Sequence, residues 1–173
     1  MSLSARVQEA IRDVADFPKP GVLFKDVTPV LADAALMSDI IDWMAAPHTG
    51  GGIDVVVGME SRGFFFGPGL AQALGCAFAP ARKAGKLPHA TVSMSYSLEY
   101  GEATLEMHVD SIQKGARVLV VDDLLATGGT ARATQDLVEK LGGSLVESVF
   151  LIELGFLHGK KALTGPVRSL VTY

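Results

Sequence analysis

One cysteine, Cys76, stands among 173 residues, so no disulfide can close within the chain and a reducing, cytoplasmic location is expected. A basic excess is missing as well. Fifteen Lys and Arg face nineteen Asp and Glu, a formal net charge of −4, which argues against a protein whose task is to hold nucleic acid by its phosphates. The four histidines, at positions 48, 89, 108 and 158, show no metal-ligand spacing, and no structural zinc is expected. Met1 to Ala10 form no apolar stretch and Asp13 and Asp16 soon follow, so no signal peptide is expected. The charge-free run from Gly63 to Ala81 is about long enough to cross a bilayer. However, Gly67, Pro68, Gly69, Gln72, Gly75 and Pro80 interrupt it, and it reads as loop, helix and strand rather than a membrane span.

What is present is apolar material: 49% of the residues are hydrophobic and 20% charged, enough for a single self-sufficient domain over residues 1–173. Leu3, Val7, Ile11 and Val14 share one face at helical spacing, and Phe17-Pro18-Lys19-Pro20-Gly21 ends that helix and begins an extended arm. Asp33 can cap a second helix through Leu36, Ile40, Ile41 and Met44, before Pro47 and the Gly50-Gly51-Gly52 turn. Ile53 to Met59, Val118 to Val121 and Leu145 to Ile152 are continuous apolar runs, the mark of parallel strands covered on both faces. Thr130 to Leu141 reads as the helix between the last two, stopped by Gly142-Gly143. Thr91 to Tyr96 and Ala103 to His108 alternate in polarity, which predicts a hairpin within residues 82–110 that projects as a lid. The fold class is therefore α/β, a mostly parallel sheet flanked by helices.

Chemistry concentrates at residues 118–132. An apolar strand delivers Asp122 and Asp123; Ala126, Thr127, Gly128, Gly129 and Thr130 then lead into a helix whose first N–H groups have no intrahelical partner. The glycines admit an anion close to the backbone, the threonines add donors, and the helix dipole favours negative charge. Two carboxylates beside an anion seat would repel the ligand unless they face another part of it. A sugar phosphate satisfies both: the Asp pair accepts from ribose hydroxyls and favours positive charge developing at C1, while the loop holds the 5′-phosphate.

This segment resembles the phosphoribosyl pyrophosphate (PRPP) loop of the type I phosphoribosyltransferases. Phe17 to Asp26, Glu60-Ser61-Arg62-Gly63-Phe64, Arg82-Lys83-Ala84-Gly85-Lys86-Leu87-Pro88 and Ser95-Tyr96-Ser97-Leu98-Glu99-Tyr100-Gly101 are similar to the adenine-specific branch of that family. The resemblance implies a type I phosphoribosyltransferase fold with an N-terminal hood arm (residues 1–30) and a flexible lid, and transfer of the phosphoribosyl group from PRPP to N9 of adenine, giving AMP and pyrophosphate, with Mg2+. It implies pyrophosphate binding by Glu60, Ser61, Arg62, Lys83 and Lys86, with Arg82 a neighbour, often across a cis peptide that here would join Glu60 to Ser61. It places adenine on the Leu23 carbonyl, the Lys25 amide and the Phe24 ring. Catalytic roles fall to Glu99, which approaches N7, to Tyr100, which closes the site, and to Arg62. Mg2+ would arrive on pyrophosphate and sugar oxygens with few or no protein ligands, and a homodimer is implied, with neither nucleic acid nor membrane as partner. By residue type alone Phe24 reads as core, Lys83, Lys86 and Glu99 as solvated charges, and Phe64-Phe65-Phe66 as core or interface. Two other readings stay open: a phosphoribosyltransferase for 6-oxopurines or orotate, and a ligand-sensing regulator that retains the same fold.

Overall fold

The computed structural model describes residues 1–97 and 102–173. In chain order it contains α1 (Leu3–Ala10), β1 (Arg12–Ala15), β2 (Leu23–Asp26), α2 (Thr28–Leu31), α3 (Ala34–Ala45), β3 (Val55–Met59), α4 (Gly67–Leu74), β4 (Ala77–Lys83), β5 (Thr91–Ser97), β6 (Glu102–His108), β7 (Arg117–Leu125), α5 (Gly129–Lys140), β8 (Ser144–Glu153) and β9 (Val167–Thr172). Seven strands form the central sheet in the order β5-β6-β4-β3-β7-β8-β9. The five from β4 to β9 run parallel, and β6 and β5 add antiparallel at one edge.

The unbroken apolar runs follow from burial on both faces. Val56, Leu119, Val121, Val149 and Leu151 pack with Val7 of α1, Leu36, Ile40 and Met44 of α3 and Leu70 of α4. Their neighbours Val55, Val57, Val118, Val120 and Phe150 turn to the other face, against Leu137 and Val138 of α5 and Leu105 and Met107 of β6. Each such side chain, removed from water, contributes roughly 1.5–3 kcal/mol. Asp33 caps α3 as expected, its carboxylate accepting from the Leu36 amide at 2.9 Å.

Several boundaries differ from the sequence expectation. The N-terminal helix ends at Ala10, and Arg12–Ala15, with Val14, is a strand that pairs antiparallel with Leu23–Asp26. Apolar residues spaced for one helix face are thus divided between a helix and a strand, because the ladder to β2 satisfies the backbone beyond Ile11. The strand expected from Ile53 begins at Val55, and that expected over Val118 to Val121 extends through Leu125, so Asp122 and Asp123 lie inside it.

The chain leaves β3 for β4 on one side and later returns to β7 on the other. The carboxyl ends of β3 and β7 therefore diverge at a topological switch point, where open α/β sheets form a crevice.

Candidate active site

A recess of about 250 Å³ is lined by Glu60, Ser61 and Arg62 from the turn after β3, by Asp122 and Asp123 from β7, and by Ala126 to Ala131 from the loop and first turn of α5. The start of α5 has Gly128 at φ 88° as its N-cap with no side-chain hydrogen bond, so its first amides are free to meet an anion. The Glu60–Ser61 peptide is cis. Gly63 lets this turn lie flush on β7: a methyl there would stand 2.6 Å from the Val121 carbonyl oxygen and 3.2 Å from Asp122 Oδ1.

Asp123 is buried, yet its Oδ2 accepts no hydrogen bond; it lies 3.0 Å from Arg62 Nε as an ion pair. The Asp123 amide donates to Asp122 Oδ1 at 2.9 Å. Burial pushes the Asp122 carboxyl well above the ordinary range, and the negative charge of Asp123 adds to the effect. Burial raises Asp123 too, with Arg62 opposing it. Unsatisfied buried oxygens of this kind suit sugar hydroxyls, which would supply the missing donors.

A second, apolar recess of about 400 Å³ lies under the arm, lined by Val14, Phe17, Phe24, Asp26, Val27, Thr28, Arg62 and Phe65. Phe17 meets Phe24 edge to face at 5.1 Å, and the Arg62 guanidinium stands 5.2 Å from the Phe24 ring centre. Arg62 lines both recesses, one carrying two carboxylates beside the helix amides, the other apolar and aromatic.

The phosphoribosyl transferase domain profile matches residues 27–172. The adenine phosphoribosyltransferase of Nocardioides sp. is 58% identical over 167 residues, covering 94% of this chain and 90% of its own. The chain belongs to the adenine phosphoribosyltransferase family. The crystal structure of the family member from Rhodothermus marinus superposes with a TM-score of 0.94 at 48% identity, covering 99% of this chain and 98% of that one. The Saccharomyces cerevisiae enzyme, solved with an imino-altritol bisphosphate and adenine, gives 0.93 at 41% identity over 97% and 98% of the two chains.

Against that family pattern, the structure brings together Ser61, Arg62, Asp122, Asp123 and Ala126 to Thr130 in one recess. Glu60 reaches the same recess, but its carboxylate is committed elsewhere. It accepts from Arg82 Nε at 3.2 Å and the Lys83 amide at 3.0 Å, and pairs with the Lys86 ammonium. Burial opposes its ionisation, but the Lys86 bond, the Lys83 amide and the charges of Lys86 and Arg82 outweigh it and lower its pKa. Glu60 thus acts on the rim as an anchor for two cations, while Lys83 and Lys86 themselves line neither recess.

Leu23, Phe24 and Lys25 lie in β2, which among the described residues pairs with β1 alone. Leu23 and Lys25, two residues apart, present their backbone groups to the same edge. The Lys25 ammonium is held by Asp13 at 2.6 Å and lies 3.9 Å from the Tyr173 ring centre, so the side chain is already engaged. Glu99 and Tyr100 lie outside the described residues. Sequence reasoning missed the lining roles of Val14, Asp26, Val27, Thr28 and Phe65. The triple-Phe run divides three ways: Phe66 is in the core, Phe64 packs edge to face on Phe78 at 6.1 Å, and Phe65 borders the apolar recess.

Proposed function

We propose that the acidic recess holds PRPP, that the apolar recess holds adenine, and that transfer occurs between them beside Arg62. Adenine N9 forms a bond to C1 of the ribose as the bond from C1 to the pyrophosphate oxygen breaks. The products are AMP and pyrophosphate, with the ring proton released. Asp122 and Asp123 accept from the ribose hydroxyls and favour the positive charge that develops at C1, and the residue 127–130 amides and hydroxyls hold the 5′-phosphate. Arg62 neutralises the leaving pyrophosphate, with Ser61 beside it, and Lys83 and Lys86, set outside the recess, add positive charge from its rim. Glu99 assists proton movement at the base, and Tyr100 closes the site as part of a lid built on β5 and β6. Adenine offers a donor, its 6-amino group, beside an acceptor, N1; a Leu23 carbonyl and Lys25 amide pair fits that order and opposes the reverse order of hypoxanthine.

When bound, Mg2+ would supply charge neutralisation on the phosphates. Among the described residues no three His, Cys, Asp or Glu side chains cluster as a metal site. The Asp122 and Asp123 carboxylates line the recess, with Asp123 Oδ2 unpartnered, and would suit a hydrated Mg2+ carried in on PRPP. A homodimer, drawn from the family resemblance, and a cytoplasmic location, supported by the lone cysteine, complete the proposal; sedimentation measures the first.

The position of Arg62 in the wall of both recesses carries this reading. Steady-state assays with adenine, hypoxanthine, guanine and orotate, with and without a Mg2+ chelator, test it. Turnover with adenine alone, lost on chelation, is expected. Comparable turnover with a 6-oxopurine would contradict the base assignment, and turnover with none would favour the sensor reading.

A further inference from the structure

The stretch from Gly155 to Thr164 carries no sequence motif, yet it lies directly against the phosphate-binding loop. A methyl on Gly159 would stand 2.2 Å from the Ala126 carbonyl oxygen, and one on Gly128 2.5 Å from the Gly159 carbonyl oxygen and 3.0 Å from the Ala162 Cβ. Two backbones touch there, and no flexible side chain stands between them to yield. The stretch is fixed at Lys160 in its middle and at Thr164, its C-terminal end. Lys160 Nζ lies 2.6 Å from Oε2 of Glu153, a buried carboxylate at the end of β8. Gln135, buried on α5, donates to the Thr164 carbonyl at 3.1 Å and to Ser148 Oγ at 3.0 Å. Its own oxygen accepts from the Thr164 amide at 2.9 Å and hydroxyl at 3.1 Å.

We propose that Gly159 is a positioning residue for PRPP binding: pressed between Glu153–Lys160 and Gln135–Thr164, its backbone sets the height of the Ala126–Gly128 loop beneath the ligand phosphate. This rests on the reading that the loop holds the 5′-phosphate. Hydrogen bonds from backbone amides weaken steeply with distance and angle, and a displacement near 1 Å at a binding constellation costs on the order of a hundredfold. A Cβ at Gly159 cannot be accepted without moving one of the two backbones.

Gly159→Ala and Gln135→Met, measured beside the wild type for kcat, for KM of both substrates and for Tm, test the proposal. Gly159→Ala is expected to raise the PRPP KM at least about tenfold and Gln135→Met about threefold, with the adenine KM within about twofold in both. A purely structural role would lower Tm and the active fraction, hence kcat, with the PRPP KM at its wild-type value; that result overturns the proposal. Should Gly159→Ala not fold, the PRPP KM of Gln135→Met decides by the same rule. A wild type that does not saturate with PRPP contradicts the functional reading itself, whereas a saturating wild type with unchanged variants overturns only the positioning role.

Discussion

Asp122 is held against its own solvation: burial and the Asp123 charge raise its pKa, so the folded chain binds a proton there more readily than the unfolded chain. Its contribution to stability is full below the unfolded value and is lost as pH rises through the folded value. Asp122→Asn, which keeps an oxygen for the Asp123 amide, is expected to raise Tm by a few degrees at pH 7.5 and by less at pH 4. The same substitution should depress turnover at least about a hundredfold, because a ribose hydroxyl loses a charged acceptor. Calorimetry at the two pH values and an activity assay check both signs. Glu99→Gln is expected to lower kcat more than it raises either KM; equal turnover would remove its acid/base role. The Asp pair was legible because a strand end followed by Thr-Gly-Gly-Thr has few other uses. The double position of Arg62 was not, since Phe24 and Asp123 are remote from it in sequence and only the fold brings all three together.

At the scale of elements, the arm shows where periodicity misleads. Leu3, Val7, Ile11 and Val14 fit one helix, but pairing with Leu23–Asp26 draws Val14 into a strand, and there it lines the apolar recess. Phe24→Ala removes a wall of that recess and is expected to raise the adenine KM about tenfold or more, with the PRPP KM within about twofold. Substrate saturation curves for both ligands measure this. A second link lies on the far side of α3. Arg168 donates to the Trp43 and Met44 carbonyls at 3.0 and 2.8 Å, lies 4.2 Å from the Trp43 ring centre, and pairs with Glu147 at 3.1 Å. His48 reaches the same carboxylate at 3.0 Å. Burial works against ionisation of Glu147, but Arg168 and His48 outweigh it and lower its pKa. Such a group stabilises the fold above its unfolded pKa and ceases to do so as pH falls through the folded value. Glu147→Gln should therefore destabilise by about 1–2 kcal/mol at pH 7 and by less near pH 3, as denaturant titrations would show. The three parts of this cluster, residues 43–48, Glu147 and Arg168, are far apart in sequence and meet only through the pairing of β8 with β9 and the packing of α3, so pattern reading could not find it.

In the whole molecule, the parallel sheet was readable because helices cover both faces and leave continuous apolar strands. Strand order was not, since it depends on which edges meet. That order nevertheless decides the site: β3 and β7 adjoin as the chain changes direction, so two loops far apart in sequence, after Met59 and after Leu125, open side by side. No helix of the described residues is long and apolar enough to cross a membrane, which agrees with reading Gly63 to Ala81 as loop, helix and strand. The decisive measurement is a crystal structure of the protein soaked with PRPP and Mg2+. The ribose hydroxyls are expected within hydrogen-bonding distance of the Asp122 and Asp123 carboxylates, and the 5′-phosphate on the amides of residues 127–130. Density for the ligand at any other part of the surface, with that corner filled only by water, would contradict it.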